Sequence, residues 1–243
     1  MGRVAEQETS VRDLIDAQPE PGGGTAGFLS RMCRAAAGAL SASGIGVSVF
    51  NGDAIRGVYA ASDPRTERVE ELQFVLGEGP CIDAFDSRRP VLVADLAGDA
   101  MVRWPMYAPA AHEDGVRAVF AFPLQVGGAR LGVLDVFRDR VGGLSAEQLT
   151  DALTFADVTV AALLDQQEST GSADNIGDGG IADAVEHRAQ LFQAQGMVMV
   201  QIGGTISEAM ARLRAYAYVE SRSLSEIARA VVAGRLSFEQ DRP

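Results

Sequence analysis

Apolar and polar residues alternate along Ile45–Phe50 and again along Ile55–Ala61, on either side of Asn51-Gly52-Asp53. A period of two interrupted by Asn-Gly predicts two antiparallel strands joined by a tight turn. Arg117–Val126 and Arg130–Phe137, rich in Val and Leu, flank Gly127-Gly128 and predict a second hairpin. Val91–Ala94, after Pro90, reads as a short buried strand. Helical spacing predicts helices over Thr25–Leu40, Pro80–Phe85, near Trp104–His112, and over Ala146–Gln166. The last begins at a capping box, Ser145 with Gln148, and carries Leu149, Leu153, Ala156, Val160 and Leu163 as one stripe. Residues 23–167 are therefore expected to form an α+β domain, an antiparallel sheet with helices on its faces.

The pattern stops at both ends of that domain. Residues 1–22 read as a flexible N-terminal tail, ending in the loose stretch Pro19–Gly24. Residues 168–180 contain one sizeable apolar side chain, too little burial to offset ordering, and read as a linker. Beyond them, residues 181–243 predict an all-α domain of three helices. The first spans Ile181–Ile202 with two adjacent apolar rows, Val185, Phe192, Met199 and Ala184, Leu191, Val198. So wide a face predicts burial inside the domain and against a second chain. Gly196, in mid-helix, predicts another helix passing close. Gly203-Gly204 ends this helix, and Thr205 with Glu208 caps a second over Ser207–Ser221. Ser223 with Glu226 caps a third, which stops at Gly234.

Composition narrows the classes. Of 243 residues, 47% are hydrophobic and 22% charged, the balance of a globular protein and too apolar for a disordered one. No apolar run approaches the ~20 residues of a membrane span. The N-terminus carries Glu6 and Glu8 and no apolar segment, so a secretory signal is not expected, and a cytoplasmic location is. Every one of the 21 cationic residues is arginine, so any phosphate contact must be a guanidinium. The net charge of −12 is uneven. After Ile181, arginines 188, 212, 214, 222, 229, 235 and 242 balance acids 183, 186, 208, 220, 226, 239 and 241. The first 180 residues thus carry the whole deficit and are poorly suited to a polyanion, whereas the neutral tail is not excluded from one.

Within the second predicted helix, Arg214, Tyr218 and Arg222 recur at i, i+4 and i+8, opposite its apolar residues. Arg229 points outward from the third. Cations bracketing an aromatic on an exposed face suit RNA, where guanidinium pairs with phosphate or base edges and a phenol stacks on unpaired bases. A solvated face with an incidental tyrosine is the alternative. The two cysteines are Cys33, on an apolar helical face, and Cys81, following a glycine turn where a thiolate could be stabilised. His112 is a candidate axial ligand for haem.

The segments Leu76-Gly77-Glu78-Gly79-Pro80-Cys81, Arg89-Pro90-Val91-Leu92-Val93 and Gly115 to Leu124, set among two hairpins, resemble the GAF domain, a PAS-like small-molecule sensory module. The likeness covers about 145 residues. With the strands and helices so placed, the ligand-lining candidates are Phe74, Cys81, Trp104, Phe122 and Asp135. The tail resembles the ANTAR domain, a three-helix RNA-binding module of bacterial transcription antiterminators. That likeness rests on Arg188, Ala194, Gly196, Met199, Ala209, Leu213, Arg214, Ala217, Leu224 and Ala228. Many members carry lysine where this chain has Gln195, which leaves more of the charge to its arginines.

The resemblance implies a regulator in which a ligand or redox signal at the first domain controls binding of a homodimer to paired hairpins in nascent RNA. It implies an RNA site drawn from Arg188, Gln195, Gly196, Arg212, Arg214, Tyr218, Arg222 and Arg229. No cofactor is specified, and no membrane partner is expected. Other readings are a cysteine-dependent enzyme similar to free methionine sulfoxide reductases, and a haem-type sensor. In either, the tail would serve only dimerisation or DNA binding, though a neutral tail fits duplex DNA poorly.

Overall fold

A computed structural model describes residues 2–19, 24–51, 54–170, 179–220, 222 and 224–238. The chain divides into two units, residues 1–178 and 179–243.

Five strands build the first unit: β1 (Gly44–Asn51), β2 (Ala54–Ala61), β3 (Val91–Val93), β4 (Ala118–Val126) and β5 (Ala129–Arg138). They form one antiparallel sheet in the order β2-β1-β5-β4-β3. The β4–β5 turn uses Gly127 at φ +56°, a left-handed conformation that glycine adopts without strain. Alternate residues feed two cores. Ile45, Val47, Ala118, Phe120, Phe122, Leu124, Leu134 and Val136 face one side, where α2 (Gly24–Ala39) and α7 (Ala146–Thr170) pack. Val119, Ala121, Val133 and Phe137 face the other, under α3 (Pro64–Leu76), α4 (Pro80–Ser87), α5 (Ala100–Arg103) and α6 (Tyr107–Glu113).

Several sequence expectations need correction. The N-terminal residues contain a helix, α1 (Gly2–Asp16), that buries Val11 and Ile15 against α2 and α7. With little more than one apolar pair at i, i+4, its pattern is too sparse to announce a helix. On α7 the Ser145–Gln148 box forms as expected, but the buried face is Ala152, Phe155, Ala156, Thr159 and Leu163, and Leu153 is exposed. The helix expected near Trp104–His112 is α6, which starts only at Tyr107, and the short helix α5 precedes it. Trp104 precedes Pro105, whose ring disfavours α geometry in the residue before it, and Trp104 is accordingly non-helical at ψ 77°. The segment predicted as linker is helical at its edges, since α7 reaches Thr170 and α8 starts at Gly179; residues 171–178 lie outside the described residues.

Helix α3 went unrecognised altogether. It starts at Asp63, whose carboxylate accepts from the Arg65 and Thr66 N–H groups, with Pro64 in the first turn. Its buried positions include Thr66, Glu70 and Gln73, which break the apolar stripe.

The second unit is α8 (Gly179–Ile202), α9 (Ile206–Val219) and α10 (Leu224–Val232). Ala194, Val198, Ala209, Leu213, Ala217, Leu224, Ile227, Ala228 and Val231 fill its core. The Thr205–Glu208 capping box is complete. Side chains of Ala184, Val185 and Phe192, and the cap expected at Ser223, lie outside the described residues. A Cβ added at Gly196 would meet nothing within 4 Å, so among the described residues no close helix crossing accounts for this glycine. After α10 the chain folds back: Phe238 N–H donates to Gln201 Oε1, and its ring meets Tyr216 edge-on at 5.4 Å.

Candidate ligand site and nucleic-acid face

The sheet face beneath α3 and α6 holds a polar cluster inside an apolar core. Asp135 projects from β5, and its partners across the ladder, Gly46 and Ala121, are small enough to leave it room. Glu70 descends from α3 onto β1, where Gly46 admits it: a Cβ there would come within 3.0 Å of the Glu70 carboxyl carbon. Ser48 Oγ donates to Glu70 Oε1. Gln73 Nε2 donates to both carboxylates, at 3.2 Å to Glu70 and 3.4 Å to Asp135. Its Oε1 accepts from the Cys81 N–H at 2.8 Å. The Cys81 side chain in turn hydrogen-bonds Asp135. Ser48, Glu70, Gln73, Cys81, Tyr107 and Asp135 are all 0% exposed.

Electrostatics follow from burial. Desolvation, then the Asp135 charge, holds the Glu70 carboxyl well above its ordinary range. Desolvation also lifts Asp135, to about 6, opposed by hydrogen bonds from Glu70, Cys81 and Gln73. Both carboxyls thus keep their protons to higher pH than exposed carboxyls do, and Glu70 hydrogen-bonds Asp135. Burial and the same two carboxyls raise the Cys81 thiol and the Tyr107 hydroxyl. Two side-chain atoms of the cluster have no hydrogen-bond partner among the described residues, Tyr107 Oη and Asp135 Oδ1. A buried polar atom without a partner costs about 1–3 kcal/mol, so a fold that keeps two together has a use for them.

The Gly77–Cys81 turn closes over the cluster. Glu78 reaches across to accept from the Met106 and Tyr107 N–H groups at 2.6 and 2.9 Å, satisfying the first turn of α6. Gly79 adopts φ +143°, and a Cβ there would press to 2.5 Å from Gln73 Oε1. Each residue of Glu-Gly-Pro-Cys thereby fixes the loop, the helix or the cluster.

Of the ligand candidates named from sequence, Cys81 and Asp135 lie in the cluster. Phe74 and Trp104 belong to the core around it; Phe74 meets Phe50 edge-on at 5.9 Å, and Trp104 Nε1–H donates to Asp83. Phe122 does not belong there. It is of opposite parity to Ala121 on β4 and packs on the α2–α7 side. Glu70, Gln73, Ser48 and Tyr107 were missed; the Asp63-Pro64 start of α3 was the available signal for the first two. Cys33 lies in the α2–α7 core, on the opposite sheet face from Cys81, so the two thiols are not a working pair. His112 is half-buried in the last turn of α6. A separate cavity of about 290 Å³ lies among α1, α2 and α7, lined by Arg12, Phe28, Val158 and Asp165 among others, and contains none of these candidates.

In the second unit, Arg212, Tyr218, Arg222 and Arg229 are exposed, Tyr218 by 51%. Arg214 is half-buried; its Nε has no partner, and desolvation lowers its pKa. Because α9 ends at Val219, Arg222 sits in the following turn, its N–H donating to Ala217 O, and does not continue the helical row. Gln195 is only 8% exposed, beside the core residue Ala194, and so is removed from the exposed face. Gly196 is half-buried, and the Arg188 side chain lies outside the described residues.

Among the described residues no helix is long and apolar enough to cross a membrane. A GAF domain model matches residues 25–164, and an ANTAR domain model matches residues 181–232. Among solved structures, the GAF domain of a phosphoenolpyruvate-protein phosphotransferase from Coxiella burnetii is 16% identical, covers 69% of this chain and 96% of its own, and has a TM-score of 0.51. The GAF domain of the Acinetobacter phosphoenolpyruvate-protein phosphotransferase is 12% identical over 70% of this chain and 98% of its own, with a TM-score of 0.49. No curated protein matches the sequence.

Proposed function

The chain belongs to the GAF domain family and carries an ANTAR domain behind it, and from that pairing we infer a signal-responsive regulator that acts on nascent RNA. The GAF unit takes the signal in its buried polar cluster. The ANTAR unit binds paired hairpins and keeps a terminator from forming. The observation that carries this reading is the ANTAR match over residues 181–232, whose α9, α10 and the turn between them leave Arg212, Tyr218, Arg222 and Arg229 in solvent.

Such a face suits looped RNA better than duplex. A-form major grooves are too narrow for side chains, so recognition falls on splayed bases, which tyrosine stacks and arginine brackets. A homodimer would hold two loops at once, raising effective concentration without new contacts. Val200 and Val219, each 75% exposed, are apolar surface available to a second chain. A ligand that prefers one arrangement of the GAF core shifts the RNA-competent population by its differential affinity.

Binding of the full-length protein to tandem-hairpin RNA and to duplex DNA, over a series of salt concentrations, tests the reading. Hairpins should bind more tightly, and Arg212→Ala and Arg222→Ala should each reduce the salt slope by about 1. Equal affinity for the duplex, or unchanged slopes in folded variants, would overturn it.

A further inference from the structure

We propose that Glu70, Cys81 and Asp135 form a binding site for a divalent first-row transition cation of the Zn²⁺ class, with the buried Tyr107 hydroxyl as the candidate fourth ligand. One ligand atom from each of the three lies within 4.8 Å of the others. Around a tetrahedral ion with bonds of about 2.0–2.3 Å, ligand atoms stand roughly 3.3–3.8 Å apart. Side-chain rotations of about 1 Å close the difference. The independent sign is Tyr107: its hydroxyl is fully buried, has no hydrogen-bond partner, and lies within the electrostatic reach of all three groups. Asp135 Oδ1, also without a partner, is a free lone pair in the same place.

The donor set selects the ion. Calcium and magnesium take six or more oxygens, several from water, which a fully buried pocket does not supply. One sulfur with carboxylate and phenol oxygens suits Zn²⁺, Co²⁺ or Fe²⁺. Charge agrees: two carboxylates and a thiolate carry −3, which no core tolerates, and a +2 ion leaves −1. Binding is an exchange, in which the cation enters, the Glu70 and Cys81 protons leave to solvent, and no electron moves.

The ion would be the input of the regulator proposed above and rests on that reading for its meaning in the cell; occupancy is tested by itself. Full-length protein stripped with chelator is titrated with Co²⁺ and then with Zn²⁺. A thiolate-to-cobalt charge-transfer band should appear, one per chain, and Zn²⁺ should abolish it. The band should persist in Cys33→Ser and vanish in Cys81→Ser. Asp135→Asn and Glu70→Gln should weaken Zn²⁺ by more than the roughly 10- to 100-fold typical of outer partners, with Trp104 emission reporting that each variant is folded. Absence of the band in wild type, or its survival in Cys81→Ser, overturns the site and leaves a proton-sharing carboxyl pair only. Hairpin binding with and without Zn²⁺ is a separate arm. Failure to bind RNA in both conditions counts against the regulator and leaves the metal site standing.

Discussion

Asp135→Asn is expected to make the metal-free protein more stable at neutral pH, although it damages the site. The Asp135 carboxyl has an ordinary value of 3.8 and is pushed up to about 6 in the native core, chiefly by desolvation. Below about pH 4 the native and unfolded chains both hold the proton, and the group contributes nothing to pH dependence. Between about 4 and 6 the native state keeps a proton that the unfolded state has released. Stability therefore falls as pH rises, by about 1.4 kcal/mol per unit. Above about 6 the loss is complete, on the order of 3 kcal/mol. Glu70, raised for the same reason, adds to the fall in the same direction. Asparagine has no charge to desolvate, its oxygen still accepts from Gln73, and its amide can donate to Glu70.

The assay is built into the chain. Trp104 is its only tryptophan, is buried in the same core as the cluster, and reports unfolding of the first unit within the full-length protein. With chelator present, urea or thermal melts are compared at about pH 5 and about pH 7.5. Only the part of the Asp135 fall above pH 5 remains between them, about 1.4 kcal/mol, so wild type should lose roughly 3–6 °C at about 2–4 °C per kcal/mol for a domain of this size. Asp135→Asn should lose less and surpass wild type at the higher pH. A wild-type profile that is flat over this interval, or a variant weaker at both pH values, would refute the reasoning.

Two further outcomes follow from the loop and the caps. Glu78→Ala strips the acceptor from two α6 N–H groups and should cost about 1–2 kcal/mol, read as a lower urea midpoint of Trp104 emission; an unchanged midpoint would mean that water replaces the carboxylate freely. Thr205→Ala opens the capping box of α9 and should cost about 1 kcal/mol, read from helical circular dichroism on heating, with Thr205→Ser restoring most of it. Failure of serine to rescue would place the effect outside the cap.

What the sequence disclosed was whatever obeyed a period. The first hairpin is legible because alternation meets Asn-Gly, the second because two apolar runs flank Gly-Gly, and α9 because Thr205 and Glu208 announce its start. Phe122 was misplaced by a single step of strand parity, which carries a side chain from one core to the other. Arg222 was assigned to a helix that ends three residues earlier, since spacing alone gives no stop at Val219. Gln195 entered the RNA site by resemblance alone, since a polar residue on α8 carries no mark of the neighbours that cover it.

The loss of α3 from the sequence pattern has a different cause, and it bears on function. A helix that only packed would show apolar residues at 66, 70 and 73, and its stripe would have been obvious. Thr66, Glu70 and Gln73 stand there instead, and β1 carries Gly44 and Gly46 opposite them so that the polar side chains can approach the sheet. Local pattern and global fold usually agree, and the places where they part are expected to be functional or strained. Here the disagreement spans two elements, with glycines on one accommodating a hydroxyl and a carboxyl from the other. Apolar residues of similar volume at Glu70 and Asp135 would give a quieter core, because a buried ionisable group is seldom better than a well-packed apolar one. A chain folding for stability alone has no reason to keep this arrangement. If Glu70→Leu with Asp135→Leu proves more stable than wild type while losing Co²⁺ and Zn²⁺, the cluster is there for what it binds. If the double variant is instead less stable at every pH, the polar groups are part of the packing, and the argument from cost fails.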